Sequence, residues 1–286
     1  MNQLLDDLIK VMTLERLEMN LFRGESRDIG SPQVFGGQVL GQALVAATAT
    51  VEERTVHSLH AYFLRRGDFN SPIVYEVDRA RDGNSFSTRR VVAIQHGEQI
   101  FNMSASFQSI EGGIDHQIAM PEVPPPENLP EQAWHYRDVL DKLPPNLRRM
   151  LGLKRPFEFR PVLPPSFLSA EKVAPSRNVW FRAVAALPDV ESLHRCLLAY
   201  VSDFNLLDTA LMPHGLAHDI KNLTIASIDH AMWFHRSVRV DDWLLYSTDS
   251  PSASGARGFT RGSVFARDGR LVASTSQEGL LRVRGP

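Results

Sequence analysis

Asp203 is the residue of this chain that most needs a chemical explanation. It sits in Leu197-Leu198-Ala199-Tyr200-Val201-Ser202-Asp203-Phe204-Asn205-Leu206-Leu207, a run that reads as a helix apolar on nearly all sides. A carboxylate buried there is costly unless it is hydrogen-bonded or paired with a charge. Something must therefore be meeting it. Asp208, five residues on, is a rival acid nearer the helix end. Two more polar groups belong to the same inventory. In Ser274-Thr275-Ser276-Gln277-Glu278-Gly279, strand alternation puts Thr275 and Gln277 on one face, so an amide can be aimed inward from the last core strand. Ser227, just before Ile228-Asp229-His230, offers a hydroxyl. Taken singly, each has an ordinary reading: a partly exposed or backbone-bonded Asp, a strand amide and a strand serine.

Other chemistries lack their residues. His57 and His60, and His230 and His235, lie on strands at spacings of three and five with no HExxH or Cys-His pattern, so no metal is expected. No GxSxG elbow is present to supply a serine nucleophile. Gly36-Gly37 with Gly41 is not a GxGxxG fingerprint; it reads as a close backbone approach that leaves free N–H groups at a helix start, able to hold a ligand oxygen. Arg65, Arg89, Arg90, Arg236, Arg257 and Arg261 gather around the strands, where some could bind phosphates. Gly36, Gly37, His57 and Arg257 are accordingly the weaker candidates for substrate contacts.

The elements that must position these residues come twice. His60-Ala61-Tyr62-Phe63-Leu64-Arg65-Arg66 is echoed by His230-Ala231-Met232-Trp233-Phe234-His235-Arg236, and each leads through strand-like runs to a Gly turn, 37 and 39 residues after its histidine. An offset near 170 is too long for a solenoid and reads as one domain duplicated and fused. In the first unit a small-residue helix over 38–47 precedes strands over 57–64, 73–79, 86–95 and 99–107, with His96-Gly97 as a hairpin turn. In the second a strand near 179–184 and a helix over 192–211 precede strands over 224–235, 243–249, 259–266 and 271–281, with the Asp268-Gly269 hairpin. Between Met120 and Pro165 prolines exclude long regular elements, although Glu131–Leu140 could make a short helix, and the aromatics there suggest a connection that wraps the surface. The expected plan is 1–118, a Pro-rich connection 119–165, and 166–286.

The bulk properties bound the rest. At 286 residues, 43% hydrophobic and 22% charged with a net charge of −2, the chain is a globular protein with no basic field for nucleic acid. The single Cys196, read as a small core residue, rules out an intrachain disulfide and suits a reducing cytoplasm. No apolar run reaches the roughly 18 to 20 residues of a membrane span. Met1–Leu21 reads as an amphipathic helix and not a signal peptide, and Val283-Arg284-Gly285-Pro286 lacks a Ser-Lys-Leu type of address.

Together these segments resemble a family. Val34-Phe35-Gly36-Gly37-Gln38 with Gly41-Gln42-Ala43, Tyr62-Phe63-Leu64-Arg65, Arg81-Asp82-Gly83-Asn84-Ser85-Phe86, Ile228-Asp229-His230 with Met232-Trp233-Phe234-His235-Arg236, Ala256-Arg257-Gly258-Phe259 and Gln277-Glu278-Gly279 are similar, essentially end to end, to acyl-CoA thioesterase II of the bacterial TesB type. The resemblance implies an α+β double hotdog fold, two long helices each wrapped by an antiparallel sheet. It implies hydrolysis of fatty acyl-CoA to free fatty acid and CoA without metal, cofactor or covalent intermediate, and self-association as a dimer or tetramer of double hotdogs. By the same resemblance Asp203 is the catalytic acid residue that activates water, with Gln277 and Ser227 orienting it. Ser227 departs from the family's usual Thr, and Arg66 stands where Pro is common. The competing readings are a hotdog acyl-CoA hydratase, separated by product analysis, and a non-catalytic acyl-CoA-binding or regulatory protein, which would have no reason to keep Asp203, Ser227 and Gln277 together.

Overall fold

The computed structural model describes residues 2–165, 170–216 and 222–283. The expected boundary at residue 166 and the terminal residues 284–286 therefore lie outside the described residues. In chain order the elements are α1 (Gln3–Met12), β1 (Glu15–Glu18), β2 (Leu21–Gly24), α2 (Gly36–Thr48), β3 (Thr55–Phe63), β4 (Ile73–Asp82), β5 (Phe86–Gln95) and β6 (Glu98–Gln108). There follow α3 (Gln132–Tyr136), α4 (Pro145–Gly152), β7 (Phe157–Pro161), β8 (Ser176–Ala183), α5 (Glu191–Ser202) and α6 (Asp208–Leu211). The last strands are β9 (Leu223–Ser227), β10 (Asp229–Phe234), β11 (Leu244–Ser254), β12 (Arg257–Ala266) and β13 (Leu271–Val283).

Among the described residues the strands make one antiparallel sheet in the order β1-β2-β4-β5-β6-β3-β10-β13-β12-β11-β8-β7, with β9 on β13. The order is mirrored about the β3–β10 junction: β4-β5-β6-β3 on one side answers β11-β12-β13-β10 on the other. This is the double hotdog that the repeat predicts. The two central helices run antiparallel inside it, since a Cβ on Gly37 would collide with the Tyr200 carbonyl and one on Gly41 would lie 3.2 Å from that of Cys196. Small residues let two buried helices approach this closely. The buried amide of Gln42 on α2 is saturated: it donates to the carbonyls of Val11 (2.7 Å) and Glu25 (2.8 Å) and accepts from the Tyr75 hydroxyl at 2.7 Å.

The structure corrects the sequence reading in three places and adds elements to a fourth. The N-terminal helix stops at Met12, where the spacing of Leu5, Leu8 and Met12 ends, and residues up to Leu21 turn into the β1–β2 hairpin. The helix expected over 192–211 ends at Ser202; Asp203 is its C-cap, and Asn205 takes a left-handed φ of 61° before α6 begins. Asn is among the few side chains that tolerate this conformation. The strand expected over 224–235 is two strands. The Pro-rich stretch carries α3, α4 and the edge strand β7, and it is strapped down, with Arg160 donating to the Pro126 carbonyl at 2.8 Å and the Trp180 indole to that of Pro124 at 2.9 Å. Both hairpin turns occur where expected, His96 and Gly97 with φ of 51° and 77° and Gly269 with φ of 88°.

Candidate active site

The break between β9 and β10 builds the site. Along β13, Ser227 is opposite Gly279 and Ala231 is opposite Ser276, a slip of one residue. Ile228 and Asp229 both face Glu278: the Ile228 N–H donates to the Glu278 carbonyl at 2.9 Å, and the Asp229 carboxylate accepts the Glu278 N–H at 2.7 Å. This is a β-bulge whose freed amide is satisfied by a side chain. Burial raises the Asp229 pKa, partly offset by that bond. Strict alternation would send Ser227 and His230, three apart, to opposite faces. The bulge turns both inward.

Asp203 is the meeting point. Its Oδ1 accepts from Gln277 Nε2 at 2.7 Å and from Ser227 Oγ at 3.4 Å, long for a hydroxyl donor. Its Oδ2 has no donor among the described residues and faces the start of α2, 2.8 Å from where a Cβ on Gly36 would lie. The Gly36 and Gly37 N–H groups have no acceptor among the described residues, as the first turn of a helix requires. A carboxylate there faces the positive end of the α2 dipole, which opposes the unfavourable placement at the C-terminal end of α5.

Gln277 is held from behind. Ser202 Oγ donates to the Ala199 carbonyl at 2.9 Å, so at 3.0 Å it accepts from His230 Nε2. Nδ1 of the neutral ring then accepts the second Gln277 Nε2 hydrogen at 3.3 Å. Desolvation lowers the His230 pKa against the opposing pull of Asp203, in keeping with this neutral form. Both amide hydrogens are spent and Gln277 Oε1 is left buried without a partner. A lost acceptor costs roughly 1–3 kcal/mol, comparable to the roughly 1.5–3 kcal/mol of a bond to a charged group alone, so two bonds tip the orientation. Flipping the amide would also set its oxygen against the Asp203 carboxylate.

Two cavities flank Asp203. One of about 530 Å³ is largely apolar, walled by Ile29, Phe35, Phe204, Leu211 and Ile225, with Leu147 and Met150 of α4 closing it. Asp203 is in its wall. One of about 270 Å³ includes Gly36, Phe63 and Ser227, with Arg65 and Arg66 beside them.

The structure thus brings together Asp203, Ser227, Gln277, Gly36 and Gly37. It does not bring His57 or Arg257. His57 Nε2 bonds Ser106 Oγ at 2.8 Å and its ring meets Phe86 edge-on; burial and then Arg195 lower its pKa. Arg195 lies two turns before Asp203 on α5 and donates to the Val56 carbonyl, which sets His57 at the far end of that helix. Arg257 pairs with Glu278 at 2.9 Å, on the strand face opposite Gln277. Thr275 faces inward with Gln277, as alternation predicts, and bonds the Tyr246 hydroxyl at 2.7 Å. Asp208 pairs with Arg177 at 3.3 Å. Sequence reasoning misses the roles of His230, Ser202 and Asp229; a histidine on an inward strand position is visible in the sequence but is weighed there only as a metal ligand. It also misses α4 as a cavity wall.

A family described as acyl-CoA thioesterase matches residues 150–280, and one described as acyl-CoA thioesterase N-terminal domain matches 23–108. A Haemophilus influenzae protein named acyl-CoA thioesterase 2 is 41% identical over 283 residues, covering 99% of each chain. Human acyl-coenzyme A thioesterase 8 is 41% identical, covering 96% of this chain and 88% of its own. The crystal structure of acyl-CoA thioesterase II TesB2 from Mycobacterium marinum superposes with a TM-score of 0.80 at 44% identity, covering 97% of this chain and 99% of that one.

Proposed function

The chain belongs to the acyl-CoA thioesterase II family, of the TesB type, and we propose that Asp203, Ser227 and Gln277 are its catalytic residues. It is a hydrolase of fatty acyl-CoA thioesters, releasing free acid and CoA. Asp203 Oδ2 takes a proton from water as the water oxygen attacks the thioester carbonyl carbon. Gln277 and Ser227 fix Oδ1 and so the direction of Oδ2. The N–H groups at the start of α2, Gly36 and Gly37, receive the carbonyl oxygen as it becomes negative. The tetrahedral adduct collapses with rupture of the C–S bond, and protonated Asp203 returns its proton to the leaving thiolate. The carrying observation is a carboxylate with one oxygen clamped by two donors and the other bare beside a helix start and an apolar cavity.

The larger cavity suits the acyl chain, and the smaller, with Arg65 and Arg66, suits the phosphate-bearing CoA arm. The Pro-rich connection 119–165 is then part of the acyl pocket through α4. The free thiol of the buried Cys196 suits a reducing cytoplasm as the place of action. Among the described residues no helix is long and apolar enough to cross a membrane. Chains also associate through their sheets as homo-oligomers. Sedimentation at micromolar concentration should find a species heavier than one chain, and a fully active monomer would count against association.

Ser227 tests the assignment directly. Ser227→Ala should slow thiol release from acyl-CoA on the order of 10- to 1000-fold, toward the lower end because the bond is 3.4 Å long. Ser227→Thr should be mild: the hydroxyl is kept, a β-branched rotamer is stiffer, and the added methyl has the smaller cavity to enter. If Ser227 is only scaffold the order reverses, with Ala active and Thr destabilised by overpacking.

A further inference from the structure

The mirrored sheet supplies an internal comparison. Around the two equivalent hairpins the burial patterns of β6 and β13 run in step, matching Ile100 with Val272, Met103 with Thr275 and Ala105 with Gln277. Ala105 is opposite Leu59 on β3; on β10 Ala231 is opposite Ser276, so the next step of the register sets His230 beside Gln277, whose side chains bond at 3.3 Å. The structural counterpart of His230 is therefore Leu59 and not His60. The sequence echo of the two histidines is one residue out of phase, which on a strand means opposite faces. The C-cap of α2 is Ala49 where that of α5 is Asp203. Asp, His and Gln in one half thus stand where the other half has Ala, Leu and Ala.

His230 is fully buried, and an imidazole in a position that leucine fills in the other half must be satisfied by bonds. Its two bonds have one direction: Nε2–H to Ser202 Oγ, itself committed to the Ala199 carbonyl, and Nδ1 receiving Gln277 Nε2–H. The chain of bonds starts at the backbone of α5 and ends at Asp203 Oδ1. We infer that His230 is a positioning residue for the hydrolysis: as the neutral Nε2–H tautomer anchored on Ser202, it holds the Gln277 amide with its NH₂ toward Asp203. The inference rests on the proposed roles of Asp203 and Gln277. It adds that the amide's orientation is set by His230 and not by Asp203 alone.

The test is a double-mutant cycle on the full chain with decanoyl-CoA as substrate, reading kcat, KM and melting temperature. His230→Leu installs the residue of the other half; His230→Met replaces it should that variant not fold. Loss of the anchor should lower kcat on the order of 10- to 100-fold with KM little changed. His230→Gln, which can both donate and accept, should recover a large part of the rate. Combined with Gln277→Ala, the His230 substitution should cause no further loss, because it acts through that amide. A folded His230→Leu chain at wild-type kcat, or losses that multiply in the double variant, would overturn the inference while an impaired Gln277→Ala keeps the three-residue site standing. A Gln277→Ala chain at wild-type rate would overturn both.

Discussion

Asp203→Asn should lower kcat by about 100- to 10,000-fold, the span that general-base catalysis supplies, and leave KM and melting temperature close to those of the parent. The geometry makes the substitution clean. An asparagine keeps an oxygen at the Oδ1 position, so the bonds from Gln277 and Ser227 survive, and only Oδ2 becomes an NH₂ that cannot accept a proton from water. Steady-state thiol release together with thermal melting checks this. A folded Asp203→Asn variant turning over at near the parental rate would remove Asp203 from the role of base.

Gly37→Ala should cost both stability and rate. The added Cβ would run into the Tyr200 carbonyl and the Phe35 ring, 2.5 Å from its Cε1. A backbone carbonyl has no rotamer by which to retreat, so the start of α2 must move off the end of α5. Overpacking of this kind costs roughly 1–3 kcal/mol, and the upper end applies where the obstacle is backbone. The same displacement separates the α2 N–H groups from Asp203, three residues beyond Tyr200, and a shift of about 1 Å can cost on the order of 100-fold in rate. Gly41→Ala, one turn on, is the internal comparison: its Cβ would lie 3.2 Å from the Cys196 carbonyl and from the flexible Met12 side chain, a milder crowding, so it should cost clearly less than Gly37→Ala. Melting curves and turnover of the two variants decide the matter. Equal behaviour would mean that the helix contact at Gly37 does not place the site.

Much of this site is legible in the sequence because it rests on local conflicts. An acid in an apolar run and an amide on the inward face of a core strand violate local patterning, and such violations gather where a protein needs them. Gly36-Gly37 is legible for the same reason, as glycine at a helix start. What stays hidden depends on partners distant in sequence. That the helix ends at Ser202 follows from a left-handed Asn205, which the pattern of apolar residues does not register. That Ser227 and His230 share a face follows from a bulge opposite Glu278, which period-two counting cannot see. The match of His60 with His230 fails by a single residue, since identical letters outweigh inward-facing position when only letters are compared. Arg257 and His57 draw notice by type, yet their surroundings are set by Glu278 and Ser106.

The antiparallel helix pair has an implication for stoichiometry and descent. Two identical halves packed this way would form two junctions, each pairing the start of one helix with the end of the other, and so two reaction centres. Fusion into one polypeptide lets the two be inherited separately. Here the junction at the end of α2 has Ala49 in place of an acid, so active-site titration should count one centre per chain. On the proposed assignment the remaining centre draws Gly36 from the first half and Asp203 from the second, so neither half alone should turn over substrate. On the same assignment the junction at Ala49 would be free of catalytic demand, its residues answering to packing.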